Sequence, residues 1–185
     1  MITLNKKQIK ESLPRIKKGL EQYLWIQKEV ELRDVSEDEE FQRRFNYFYK
    51  IIPHRNKVWQ NEFYNLLENS KNTEITFETL LSNLFNKTGK IEASFVSKLM
   101  ATLNPELPVI DSVVLKNLGL RLPYSYVKNR ELLINEIHLK LVDEFANFLK
   151  TENGVYLKEQ FNLAYPEVGI TKIKMLDLVL WQTRT

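Results

Sequence analysis

The sequence predicts an all-α fold on three observations. Apolar residues recur at three- and four-residue spacing along most of the chain, strand-like alternation is scarce, and the 5 glycines are scattered rather than gathered in hairpin turns. The expected architecture is a multi-helix bundle of about seven or eight helices. A single compact domain over residues 1–185 is expected. Two lobes are possible within it: the central helices over about 35–120, and residues 1–34 packing with 121–185. A chain of 185 residues with 43% hydrophobic and 28% charged content has ordinary globular composition and can bury a sizeable core.

The first long helix is expected from about Pro14, a residue suited to the first turn, to Val30, with Ile16, Leu20, Tyr23, Leu24 and Ile26 to Gln27 bracketing its buried stripe. Lys6, Lys7, Lys10, Arg15, Lys17 and Lys18 give this region a basic face, which reads first as a solvated surface and secondly as a phosphate-tracking one. Ser36–Glu39 has the spacing of a capping box and accounts for the acidic block Glu37–Glu40 without a metal. The helix it opens carries Phe41, Phe45, Phe48 and Tyr49 on one side and is stopped by Pro53. That aromatic stripe reads as core, the other reading being rings that stack on splayed bases.

A helix over Lys57–Glu68 follows, then the polar loop from Asn69 to Thr73. Thr76 caps a helix over Phe77–Phe85, and Gly89 closes it in the left-handed conformation. The next helix, Glu92–Leu103, places Phe95, Val96, Leu99, Met100 and Leu103 on one arc and Ser94, Ser97, Lys98 and Ala101 on another. The small second face permits close approach of a neighbouring helix or of a phosphate backbone. Pro105 and Pro108 break the helix, and Asp111 opens another that ends at Gly119.

A loop over Arg121–Tyr126 leads to a long helix over Asn129–Lys150, then a turn at Glu152–Gly154. A helix over Tyr156–Tyr165 and a last one over Lys172–Gln182 complete the chain. The last helix is apolar on nearly every side and belongs in a core. Asp177 lies within it between Ile173 and Trp181, so its carboxylate needs a partner such as Lys174, Lys98 or an arginine of the first helix. The alternative is a pocket floor formed by Asp177 with Trp181. His138, in the long helix, reads as a surface or satisfied histidine before a catalytic one.

No cysteine is present, which excludes disulfides, thiolate metal sites and a cysteine nucleophile; two separated histidines, His54 and His138, argue against a zinc site. No apolar run approaches the length of a membrane span, and Met1–Lys7 lacks the apolar core of a secretion signal, so a cytoplasmic location is expected. The net charge of +3 does not by itself argue for nucleic acid.

The stretch from Glu92 to Leu120 carries the chemistry. Val96–Ser97–Lys98, then Pro108–Val109–Ile110–Asp111, then Asn117–Leu118–Gly119–Leu120 follow one another across the Pro-bounded break. This segment resembles the core of the helix-hairpin-helix DNA glycosylases of base-excision repair. It departs from their pattern in lacking the hairpin glycines, in a shorter Lys-to-Asp interval and in the extra Ile110. The resemblance implies a two-lobed helical fold that binds damaged or distorted duplex DNA and hydrolyses an N-glycosidic bond in a flipped base, with a lyase step open to it, without a cofactor or metal. On that resemblance Lys98 is the nucleophile, Asp111 the activating carboxylate, Lys87, Lys90, Ser94 and Ser97 the DNA contacts, and Asp177 with Trp181 the pocket. Read from residue type alone, Asp111 is equally a helix cap and Lys98 a surface lysine. The competing class is a non-catalytic helical module that binds DNA or another protein.

Overall fold

A computed structural model describes residues 1–51 and 55–183. Among the described residues there are nine helices and no strand, which agrees with the expected all-α class. They are α1 (Lys6–Leu32), α2 (Glu39–Tyr49), α3 (Lys57–Asn69), α4 (Phe77–Thr88), α5 (Ala93–Leu103), α6 (Ser112–Asn117), α7 (Arg130–Leu149), α8 (Glu152–Ala164) and α9 (Lys172–Trp181). The chain divides into two compact units, one of residues 1–18 with 104–185 and the other of residues 19–103. Helix α1 contributes to both.

Four boundaries differ from the expectation, each for a local reason. Helix α1 begins at Lys6 and carries Pro14 in its interior. Asn5 and Gln8 form a reciprocal capping box, the Asn5 side-chain oxygen Oδ1 accepting from the Gln8 backbone N–H at 2.9 Å and the Gln8 side-chain oxygen Oε1 accepting from the Asn5 backbone N–H at 3.0 Å. That start signal lies a full two turns before the proline. Helix α2 is capped by Asp38, whose carboxylate accepts from Phe41 N–H at 2.7 Å, while the Ser36 hydroxyl donates to Asp34. Its end is set by Lys50, which takes the left-handed conformation at φ 53° as Ile51 N–H reaches the Asn46 carbonyl. Pro53, read as that stop, and His54 lie outside the described residues. Glu152–Gly154 is the first turn of α8, because the Thr151 hydroxyl caps Gly154 N–H at 3.2 Å and continues the helix.

The unit of residues 19–103 is held by an aromatic core. Phe41, Phe45, Phe48 and Tyr49 of α2 are buried, and Phe45 lies 5.9 Å, centroid to centroid, from both Phe63 and Tyr64 of α3. The Tyr64 hydroxyl donates to the Asn46 side chain at 2.7 Å, so the polar end of the ring is satisfied inside the core. The α2 aromatic stripe is therefore core, as its spacing suggests. Helices α3, α4 and α5 pack in sequence order, and Gly89 at φ 67° turns the chain from α4 into α5.

In the other unit, α9 packs against α6, α7 and α8. Eight of its residues, Ile173–Leu180, are buried, in accord with its all-round apolar sequence. The chain start joins the same unit through Lys6, which pairs with Glu152, and through the Leu13 carbonyl, which accepts from the Tyr165 hydroxyl.

Candidate functional site

Lys98 sits in the second turn of α5. That helix starts when the Glu92 carbonyl accepts from Phe95 and Val96 N–H groups, and the Glu92 carboxylate pairs with Arg55 at 2.5 Å. The Lys98 side chain is 7% exposed, with its ammonium 5.1 Å from the centre of the Phe95 ring. The Arg55 guanidinium lies 5.2 Å from the same ring and 5.4 Å from that of Trp59, which meets Phe95 edge-on at 5.1 Å. One half-buried phenylalanine therefore serves two cations. Lysine is rarely buried, because removing its charge from water is costly, so this concentration of positive charge on aromatic faces is the most distinctive polar feature of α5.

The C-terminal half of α5 is anchored. The Thr102 hydroxyl donates to the Lys98 carbonyl at 2.8 Å and lies 3.2 Å from the Tyr49 hydroxyl, and Gln27 donates to the Thr102 carbonyl at 3.2 Å. These bonds fix the register of the helix that carries Lys98. Of the small face, Ser97 and Ala101 are fully buried and Ser94 is half-buried; the Ser97 hydroxyl donates to the Ser94 carbonyl at 2.9 Å. Lys87 and Lys90 are exposed at the α4 end, and Lys87 pairs with Glu62 at 2.7 Å.

Asp111 belongs to the other unit. Pro108, Val109 and Ile110 before it are buried, which fixes the approach of the chain, and Asp111 caps α6 by accepting from Val113 N–H at 2.8 Å. Leu118 ends the helix, Gly119 follows in the left-handed conformation at φ 64°, and Leu120 N–H returns to the Leu115 carbonyl at 2.8 Å. The Thr171 hydroxyl donates to the Pro105 carbonyl at 2.7 Å while capping Lys174 N–H at 3.1 Å, so one side chain ties this segment to the start of α9.

Within α9, Asp177 is met by Lys174 at 2.7 Å, both side chains being 1% exposed. The Lys174 ammonium also lies 5.9 Å from the Trp181 ring. Lys174 is thus the partner that Asp177 requires, and it draws Asp177 and Trp181 into one cluster. His138 in α7 is 4% exposed, and burial pushes its imidazole down to about 4. Among the described residues no group of three His, Asp or Glu is arranged to hold a metal ion, and no helix is long and apolar enough to cross a membrane.

Three features escaped the sequence. Arg55 and Glu92 are 37 positions apart, and no local pattern joins them. The Arg55–Phe95–Lys98 grouping likewise depends on how α3 and α5 are brought together. The exposed pair Tyr124 and Tyr126 did carry a signal, alternate aromatics with basic residues on both sides. Comparison of the chain with protein-family models, with curated proteins and with solved structures finds no match.

Proposed function

We propose that the chain is a DNA-binding protein of the base-excision type, acting on a flipped damaged base with Lys98 as nucleophile and Asp111 as the carboxylate that activates it. The observation that carries the reading is the buried, ring-covered amine of Lys98 on an anchored helix. An amine held on an anchored helix suits covalent catalysis, in which it attacks the sugar carbon. In this chemistry the bond from Nζ to the sugar C1′ forms as the glycosidic C1′–N bond breaks. The base departs with a proton, and the amine loses its own to a carboxylate. The aminal so formed opens the sugar ring, the C1′–O4′ bond breaking as O4′ takes a proton, and the resulting imine is reduced by borohydride to a stable protein–DNA adduct.

The test is borohydride trapping on duplexes carrying assorted damaged bases, with Lys98→Gln and Asp111→Asn beside the native chain. Asn caps helices as well as Asp does, so Asp111→Asn keeps α6 and removes only the charge. An adduct formed by the native chain, lost in Lys98→Gln and sharply reduced in Asp111→Asn, supports the reading. Its absence on every duplex overturns it.

A second reading is a non-catalytic helical module that binds DNA or another protein. The cap bond that Asp111 accepts from Val113 N–H favours it, since it gives this carboxylate a structural role.

A further inference from the structure

The connection between α6 and α7 presents a feature that the repair chemistry does not use. Tyr124 and Tyr126 are 55% and 79% exposed, and their rings lie nearly parallel, 8° apart in plane with centroids 5.5 Å apart. Two large aromatic rings stacked on each other in solvent make an exposed aromatic surface. Isolated exposed apolar residues are ordinary, but an ordered exposed stack is not.

The stack is built rather than incidental. Gly119 and Asn129 at either end take positive φ, 64° and 55°. Val127 N–H reaches the Tyr124 carbonyl at 3.1 Å, and Arg130 Nε donates to the Pro123 carbonyl at 3.1 Å, pinning the loop to the head of α7. The Arg121 guanidinium lies 5.4 Å from the Tyr124 ring, and its Nη1 donates to the Tyr124 hydroxyl at 3.4 Å. From Lys116 to Arg130 there are four basic residues, Lys116, Arg121, Lys128 and Arg130, and no acidic one. Lys116, Arg121 and Lys128 are exposed. In a chain whose net charge is only +3, this is a local concentration of positive charge around two π-faces.

We infer that this loop is a stacking platform for single-stranded DNA. Unpaired bases stack on the exposed tyrosine pair, first on the more exposed Tyr126, and Arg121 and Lys128 meet the neighbouring phosphates. Paired bases do not fit the description, because a duplex offers no free base face to an exposed ring. Stacking of this kind tolerates any sequence.

The experiment is fluorescence anisotropy of a labelled oligothymidylate of about 15 nucleotides, a length suited to such platforms, titrated with the full chain over a range of salt. The same strand annealed to its complement is the duplex control. The native chain is expected to prefer the single strand. Tyr124→Ala with Tyr126→Ala weakens single-strand binding about tenfold or more, whereas Tyr124→Phe with Tyr126→Phe retains it. Arg121→Gln with Lys128→Gln lowers the log–log salt slope by about 1.4, or about 0.7 for each single-strand phosphate no longer neutralised. Single-strand binding is read on an undamaged strand without borohydride, so this outcome is separable from failure of the trapping experiment. No single-strand binding by the native chain, or undiminished binding by the double alanine variant, overturns the inference.

Discussion

The Lys174 ammonium and the Asp177 carboxylate meet at 2.7 Å, three residues apart on α9, with both side chains 1% exposed. Burial removes the water that normally shares both charges, so each group depends on the other. Replacing Lys174 alone leaves the carboxylate in the core without its cation. Lys174→Met should therefore destabilise the fold by about 3–5 kcal/mol, and Lys174→Met with Asp177→Leu should recover most of that loss. Urea unfolding of the single and double variants checks this, and a double variant weaker than the single one contradicts it.

His138 gives a distinct acid dependence. Its imidazole is held down to about 4 by burial, against an ordinary value of 6.5. The folded chain keeps it neutral while the unfolded chain protonates it readily, so the stability it contributes is complete above pH 6.5 and is lost as the pH falls towards 4. Across that window the native chain should lose up to about 3 kcal/mol from this group. His138→Phe should flatten the loss, as read by denaturant midpoints at several pH values.

Gly154 lies in the first turn of α8 hard against the end of α7. A Cβ placed there would run into the Phe148 carbonyl oxygen and sit 2.6 Å from Leu149 Cα, both backbone atoms that cannot move aside alone. Gly154→Ala should thus cost about 1–3 kcal/mol in spite of the better helix propensity of alanine. A thermal midpoint equal to that of the native chain would count against this packing.

At the start of α2 the cap is Asp38 and not Ser36. Asp38 accepts from Phe41 N–H at 2.7 Å and from Arg33 at 2.8 Å, and these bonds, the helix amide first, hold its carboxyl below the ordinary 3.8. Asp38→Ala should cost about 1–2 kcal/mol, whereas Ser36→Ala, which removes only a bond to Asp34, should cost under about 0.5 kcal/mol. Urea midpoints of the two variants give the comparison.

These sites show what was legible in the sequence. Thr76, Gly89, Asp111 and the all-round apolar α9 declared their places because each acts through its immediate neighbours. Pro14 and Ser36 misled because a competing local signal, the Asn5–Gln8 box in one case and Asp38 in the other, satisfies more orphan amides. Gly154 read as a turn because the backbone that crowds it comes from α7, six residues back and across a helix junction. The surroundings of Lys98 were the least legible part. Its place on α5 follows from spacing, but the Phe95 ring it shares with Arg55 is a product of how the helices pack.

Borohydride trapping on damaged duplexes addresses the central proposal most directly. The account predicts a covalent protein–DNA adduct with the native chain that disappears in Lys98→Gln and falls sharply in Asp111→Asn, with both variants folded. An adduct that persists in Lys98→Gln, or none with the native chain on any lesion, would contradict the nucleophile assignment.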